Sequence, residues 1–189
     1  MFERGSVKNN IYTFAALRHL ILSGLDRQLT SDDIENILLN IAIRRTDYLQ
    51  YVVGAPGSYF RNSVARSEFA ELLVLTWLPG QQSPIHGHAA SNCGVRVLEG
   101  YLTEALYRAV EAGRGDAYKV GESVWQPGLV VFSNHGTIHK ITNEDREERL
   151  VTLHLYSPPL EQEEMKIYSA VTSRDISWSA KTFWYNPGP

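Results

Sequence analysis

The apolar positions of the chain change period once. Between Ile11 and Leu22 they fall at Ile11, Phe14, Ala15, Leu17, Leu20 and Ile21, roughly the 3.6-residue repeat of a helix. Gly24 stands where a helix-ending glycine belongs. Thr30 and Asp33 have the spacing of a capping box, with Asp in place of Glu. They open a second predicted helix with Ile34, Ile37, Leu38 and Ile41 on one side. Pro56-Gly57 then punctuates the chain.

From residue 58 onward, short β-branched and aromatic runs alternate with Gly, Pro and Asn. They predict strands over 58–63, 69–79, 84–88, 94–108, 117–125, 129–133, 137–142 and 149–157, with bends at Gly100 and 113–115. Short strands joined by turns, with no helix between them, predict an antiparallel sandwich or barrel. After Pro158 the pattern is less regular, and Asn186-Pro187-Gly188-Pro189 reads as a fraying end. The expected organisation is one domain over 1–189: a helical segment 1–50, a barrel 55–160 and an extension 161–189.

Composition narrows the class. With 189 residues, 43% hydrophobic and 21% charged, the chain is long enough for a core without staples and is not of disordered type. A net charge of -3 argues against a nucleic-acid binder, whose surface carries a cationic excess. The first ten residues, MFERGSVKNN, lack the apolar core of a secretory signal. No apolar run approaches the roughly 20 residues of a membrane span. The expectation is a cytoplasmic enzyme or binding domain, with no nucleic-acid or membrane partner. The oligomeric state stays open, a monomer included.

The single cysteine, Cys93, excludes an intrachain disulfide framework and thiolate-rich metal sites, but not a metal held by the six histidines. His86 and His88 lie two apart in an extended segment, so both face one side. Two neutral imidazoles on one face can hold a divalent ion. At this histidine content, roughly 0.2 such pairs arise by chance, so the pair needs its context. Gly80, His86, His88, Cys93 and Gly100 form one spaced block. Gly128, Asn134, Gly136, His139 and Asn143 form a second, about 27 residues further on.

These blocks resemble the two motifs of the cupin family, G-x5-H-x-H-x4-E-x6-G and G-x5-P-x-G-x2-H-x3-N. Two positions depart: Cys93 replaces Glu, and Asn134 replaces Pro. The resemblance implies an all-β core, a small cupin β-barrel (jelly roll) preceded by the helices. It also implies a metal held by His86, His88 and His139. The common cupin site adds one carboxylate; with Cys93 in its place, that ligand is lost and the metal keeps more open positions. His135 reads as a turn residue outside this set, and His19 as a surface residue of the first helix.

The stretch His86-Gly-His-Ala-Ala-Ser-Asn-Cys93 resembles the cysteine dioxygenases. So do Leu153-His-Leu-Tyr-Ser-Pro-Pro159, Tyr59-Phe-Arg-Asn62 and the placement of Trp77. The resemblance covers roughly 55–160. It implies a mononuclear Fe(II) and the addition of both atoms of O2 to the sulfur of L-cysteine, giving a sulfinic acid. Arg61 would grip the carboxylate, with Tyr59 on the same face. Tyr156 would stand near the metal with His154 behind its hydroxyl. Cys93 and Tyr156 match the positions of a thioether cross-link, and the Ser157–Pro158 peptide would be cis. Without the resemblance, Arg61 reads rather as a surface ion-pair residue and Tyr156 as a barrel-core tyrosine, and the plain alternative for Cys93 is a small buried thiol. The alternatives are a dioxygenase of 3-mercaptopropionate or another thiol acid, whose members usually carry Gln where this chain has Arg61, a non-catalytic metal-binding cupin, and a non-iron cupin isomerase or dioxygenase of other substrates, which the missing Glu disfavours.

Overall fold

The computed structural model describes residues 12–110, 115–134, 136–160 and 165–171. Expectations for Ile11, His135 and the C-terminal end lie outside these residues.

Strand β1 (Tyr12–Thr13) leads directly into helix α1 (Phe14–Ser23). Thr13 caps that helix by accepting from the Ala16 amide. Phe14, Leu17 and Ile21 are its buried stripe. Gly24 does cap the helix, its amide donating to the Leu20 carbonyl. It does so at φ −117°, on the right-handed side. Helix α2 (Ser31–Asn40) carries the expected capping box of Thr30 and Asp33 and buries Ile34, Ile37 and Leu38. Strand β2 (Ile41–Ala42) pairs in parallel with β1. A short helix, α3 (Arg45–Tyr48), follows.

The rest is β-structure: β3 (Phe60–Arg66), β4 (Glu71–Trp77), β5 (Ile85–Gly87), β6 (Asn92–Glu99), β7 (Leu102–Ala109), β8 (Asp116–Trp125), β9 (Val130–Ser133), β10 (Ile138–Thr142), β11 (Leu150–Ser157) and β12 (Lys166–Ala170). One sheet runs β3-β4-β11-β6-β9. The other strands pair in a closed circuit, β10-β5-β12-β8-β7, because β10 joins both β5 and β7. This is the expected all-β cupin core. The run expected over 94–108 breaks at Gly100, whose φ is +74°, into β6 and β7, and the chain there crosses from one sheet to the other. A Cβ there would meet the Arg149 carbonyl oxygen at 2.5 Å, so only glycine fits.

Strand β12 was not expected. Its burial pattern shows no alternation, so a period-of-two search passes over it. Its partners are far away in sequence: antiparallel to β5, with Ile167 opposite His86, and parallel to β8.

Strands β4 and β11 are covered on both faces, so every position of each is buried. Leu72 and Val74 of β4, with Val151, Leu153 and Leu155 of β11, pack against the helices. Leu73, Leu75 and Trp77, with Leu150 and Tyr156, join the inner core beside Leu102 and Ile141 of the other sheet. Helix α2 sits directly on β6. A Cβ at Gly94 would lie 2.5 Å from Leu38 Cδ1 and 2.6 Å from Ile34 Cγ2. The even positions of β11 (Thr152, His154, Tyr156) thereby face inward as a row.

Candidate metal centre

The two sheets contribute different chemistry to the space between them. The β5–β10 sheet brings three imidazoles. His86 lies on β5, His88 just after it, and His139 directly opposite His86 on β10. All three are buried, and their ligand atoms lie within 4.8 Å of one another. His88 Nε2 is 3.2 Å from His86 Nε2 and 3.1 Å from His139 Nε2. Donors on one first-row metal, each about 2.1 Å from the ion, have separations of this order.

Protonation also suits a metal. The His86 Nδ1–H donates to the Pro84 carbonyl, so Nε2 keeps its lone pair. His139 Nδ1 lies 2.7 Å from Glu104 Oε1, and a carboxylate there calls for the proton on Nδ1. Two lone pairs are thus aimed at His88 Nε2 from two directions. Burial, helped by the neighbouring imidazoles, pushes His86 down to about 3 and His88 to about 2. Neutral imidazole is the form that binds metal.

The five-stranded sheet supplies the rest. Tyr156 on β11 stands opposite Cys93 on β6. The thiol and the hydroxyl form a hydrogen-bonded pair. Burial pushes the Cys93 thiol up to about 12, and holds the Tyr156 hydroxyl well above its ordinary range. Behind Tyr156 runs a chain of hydrogen bonds. Trp77 Nε1–H donates to Thr152 Oγ1 over 3.0 Å. Thr152 Oγ1 lies 2.9 Å from His154 Nε2, and His154 Nδ1 lies 3.2 Å from the Tyr156 oxygen. His154 is fully buried, and burial, then Arg61, holds it neutral. Its single proton can point to either end of the chain.

Arg61 on β3 places its guanidinium carbon 5.8 Å from the centre of the Tyr156 ring. Tyr59 precedes β3 instead of lying in it, yet it also lines the cavity, stacked on Trp77 at 4.1 Å between ring centres. Tyr59 and Arg61 also border an outer cavity with Pro84, Met165 and Ile167. They therefore form the wall between the histidines and solvent. The free inner cavity is about 10 Å³, about one water.

Every residue expected at the site lines this one cavity: Tyr59, Arg61, His86, His88, Cys93, His139, His154 and Tyr156. His19 is exposed on α1, as expected. The Ser157–Pro158 peptide is cis. Two participants were missed. Thr152 lies two before His154, so the strand period could have found it. Glu104 is buried on β7, and only the β7–β10 register brings it to His139. A carboxylate inside the apolar run Leu102–Leu106 was its one visible sign.

The chain is similar to several known proteins. The family profile described as Cysteine dioxygenase type I matches residues 5–170. Cysteine dioxygenase type 1 of Danio rerio is 29% identical over 137 residues, 69% of this chain and 66% of that protein. The human protein of the same name is 27% identical over 136 residues, 71% and 68% of the two chains. The chain thus spans about two thirds of the length of these curated relatives. Among solved structures, the TT1209 protein from Thermus thermophilus superposes with a TM-score of 0.49 at 22% identity, covering 58% of this chain and 92% of that one.

Proposed function

The chain belongs to the cysteine dioxygenase type I family, and from that premise we propose that it oxidises L-cysteine with O2 to cysteine sulfinic acid at a mononuclear non-haem Fe(II) centre. The observation that carries the reading is the position of Arg61. Its guanidinium faces Tyr156 on the sheet opposite the three imidazoles. A cavity holding both a metal triad and a planar, permanently charged fork suits a small molecule with a carboxylate at one end.

His86, His88 and His139 would hold the iron, which supplies open positions where a thiolate and O2 meet. The protein's own groups do the rest. Arg61 binds the carboxylate and fixes the substrate's orientation. Tyr156, anchored through His154, Thr152 and Trp77, holds a hydroxyl at a fixed place beside the reacting sulfur. Tyr156 stands opposite Cys93 across β11 and β6, which supports a thioether bond between the two. One S–C bond would form, the S–H and one ring C–H would be lost, and two electrons and two protons would pass to O2.

Arg61 also favours cysteine over 3-mercaptopropionate, since thiol dioxygenases of that second kind carry Gln there. The test is anaerobic Fe(II) loading followed by oxygen uptake with a panel of thiols, with His86→Ala as the blank. The expected result is the highest kcat/KM for L-cysteine. A higher value for 3-mercaptopropionate would overturn the substrate, and no uptake with any thiol would favour a non-catalytic metal-binding cupin.

A further inference from the structure

The three histidines are not backed alike. His86 donates from Nδ1 to a neutral carbonyl, that of Pro84, at 3.0 Å. His88 Nδ1 is buried and has no partner among the described residues. His139 Nδ1 faces a carboxylate, Glu104, at 2.7 Å. That pair is 1% and 5% exposed at the side chains. The register explains the contact. Glu104 pairs with Ile141, and His139 lies two residues before Ile141 on the same face, so the two are diagonal neighbours across β7 and β10. Ser133 Oγ, at 3.5 Å from the same nitrogen, is the more distant neighbour.

Glu104 is also unusual among the buried acids. Glu71, equally buried, has Arg66 at 2.9 Å and the Ser63 hydroxyl at 3.1 Å. Among the described residues no arginine or lysine forms an ion pair with Glu104; its one ionic neighbour is His139. Burying a carboxylate without a cation is unfavourable, because the charge loses its hydration uncompensated. A divalent ion on the far side of the imidazole supplies the missing positive charge through the ring. The cupin pattern places a carboxylate among the ligands, and here Cys93 has replaced it.

We propose that Glu104 returns this lost negative charge from one step further out, as a positioning residue that fixes His139 and strengthens its hold on the metal. The proposal rests on the metal-centre reading and is independent of the substrate. Carboxylates behind metal-bound imidazoles fix the ring and raise its basicity, and their loss typically weakens metal binding about 10- to 100-fold.

The test is the Fe(II) dissociation constant of Glu104→Gln, measured anaerobically by competition with a coloured chelator, together with the Fe(III)/Fe(II) midpoint potential. Gln keeps the shape and an oxygen that accepts from Nδ1–H, so only the charge goes. Binding about 10- to 100-fold weaker with a raised potential supports the proposal, and Glu104→Asp should then fall between Gln and the parent. Binding within about threefold and an unchanged potential overturn it. So does an Asp variant as weak as Gln, which would make geometry the cause. If Glu104→Gln does not fold, the same two measurements on Glu104→Asp decide, and unchanged values overturn the proposal. His86→Ala keeps the two failures apart: if it still binds iron at parent affinity, the metal-centre reading itself is wrong.

Discussion

At the scale of single residues, function divides between two sheets. The imidazoles come from one, and the residues that would handle substrate and oxygen come from the other. Arg61 is the most exposed to test. Removing a charge-assisted contact to a carboxylate costs about 1.5–3 kcal/mol, a factor of about 10 to 150. Arg61→Ala is therefore expected to lower kcat/KM for L-cysteine by that factor, mostly through KM, while iron content stays at one per chain. A change in kcat alone would assign Arg61 a different role. Cys93 carries a second expectation. Intact mass after aerobic turnover should drop by two hydrogens in the parent and stay unchanged in Cys93→Ser. A parent that never loses the two hydrogens when iron-loaded in air would leave Cys93 and Tyr156 a hydrogen-bonded pair and nothing more.

At the scale of elements, each piece is held by a local device that can be removed singly. The C-terminal end of α2 is closed by Arg96 of β6, whose Nη1 donates to the Leu38 and Ile41 carbonyls at 2.7 and 3.1 Å. These bonds fill acceptors that a helix end leaves open, at the pole that favours a cation. Arg96→Met should cost about 1–3 kcal/mol in urea unfolding, with iron binding unaffected. A loss smaller than about 0.5 kcal/mol would make the contact incidental, on the scale of surface pairs. Elements of this local kind were legible in the sequence. The Thr30–Asp33 box, the α1 and α2 stripes and the Gly100 turn each depend on residues a few positions apart. The histidine triad was legible because motif spacing records it, even though His139 sits on another strand. What escaped depends on distant pairing. Strand β12 has no alternation of its own and exists through β5 and β8. Glu104 gains its meaning from a register that the sequence does not state. Thr152 is the exception: the period of two already pointed to it.

At the scale of the whole molecule, burying histidines makes the fold sensitive to acid. In the unfolded chain His86 and His88 take up protons near pH 6.5, while in the folded metal-free protein they resist until about 3 and 2. Their folded values are depressed, so the stability they contribute is present above pH 6.5 and is lost as pH falls below it. His154, shifted in the same direction, adds to the loss. Each costs about 1.4 kcal/mol per pH unit. The metal-free protein should therefore lose stability steeply between about pH 6.5 and 4, with bound metal, which holds the neutral form, moving the transition to lower pH. Circular dichroism against pH, with and without metal, checks this; a flat profile over that range would mean the imidazoles are solvated.

In the proposed reaction both atoms of one O2 end on the sulfur of L-cysteine. The direct measurement is mass spectrometry of the product formed from L-cysteine by the Fe(II)-loaded protein under ¹⁸O2. Cysteine sulfinic acid with both oxygens on sulfur labelled is the expected result. A product with one labelled oxygen, or cystine with no label, would contradict it.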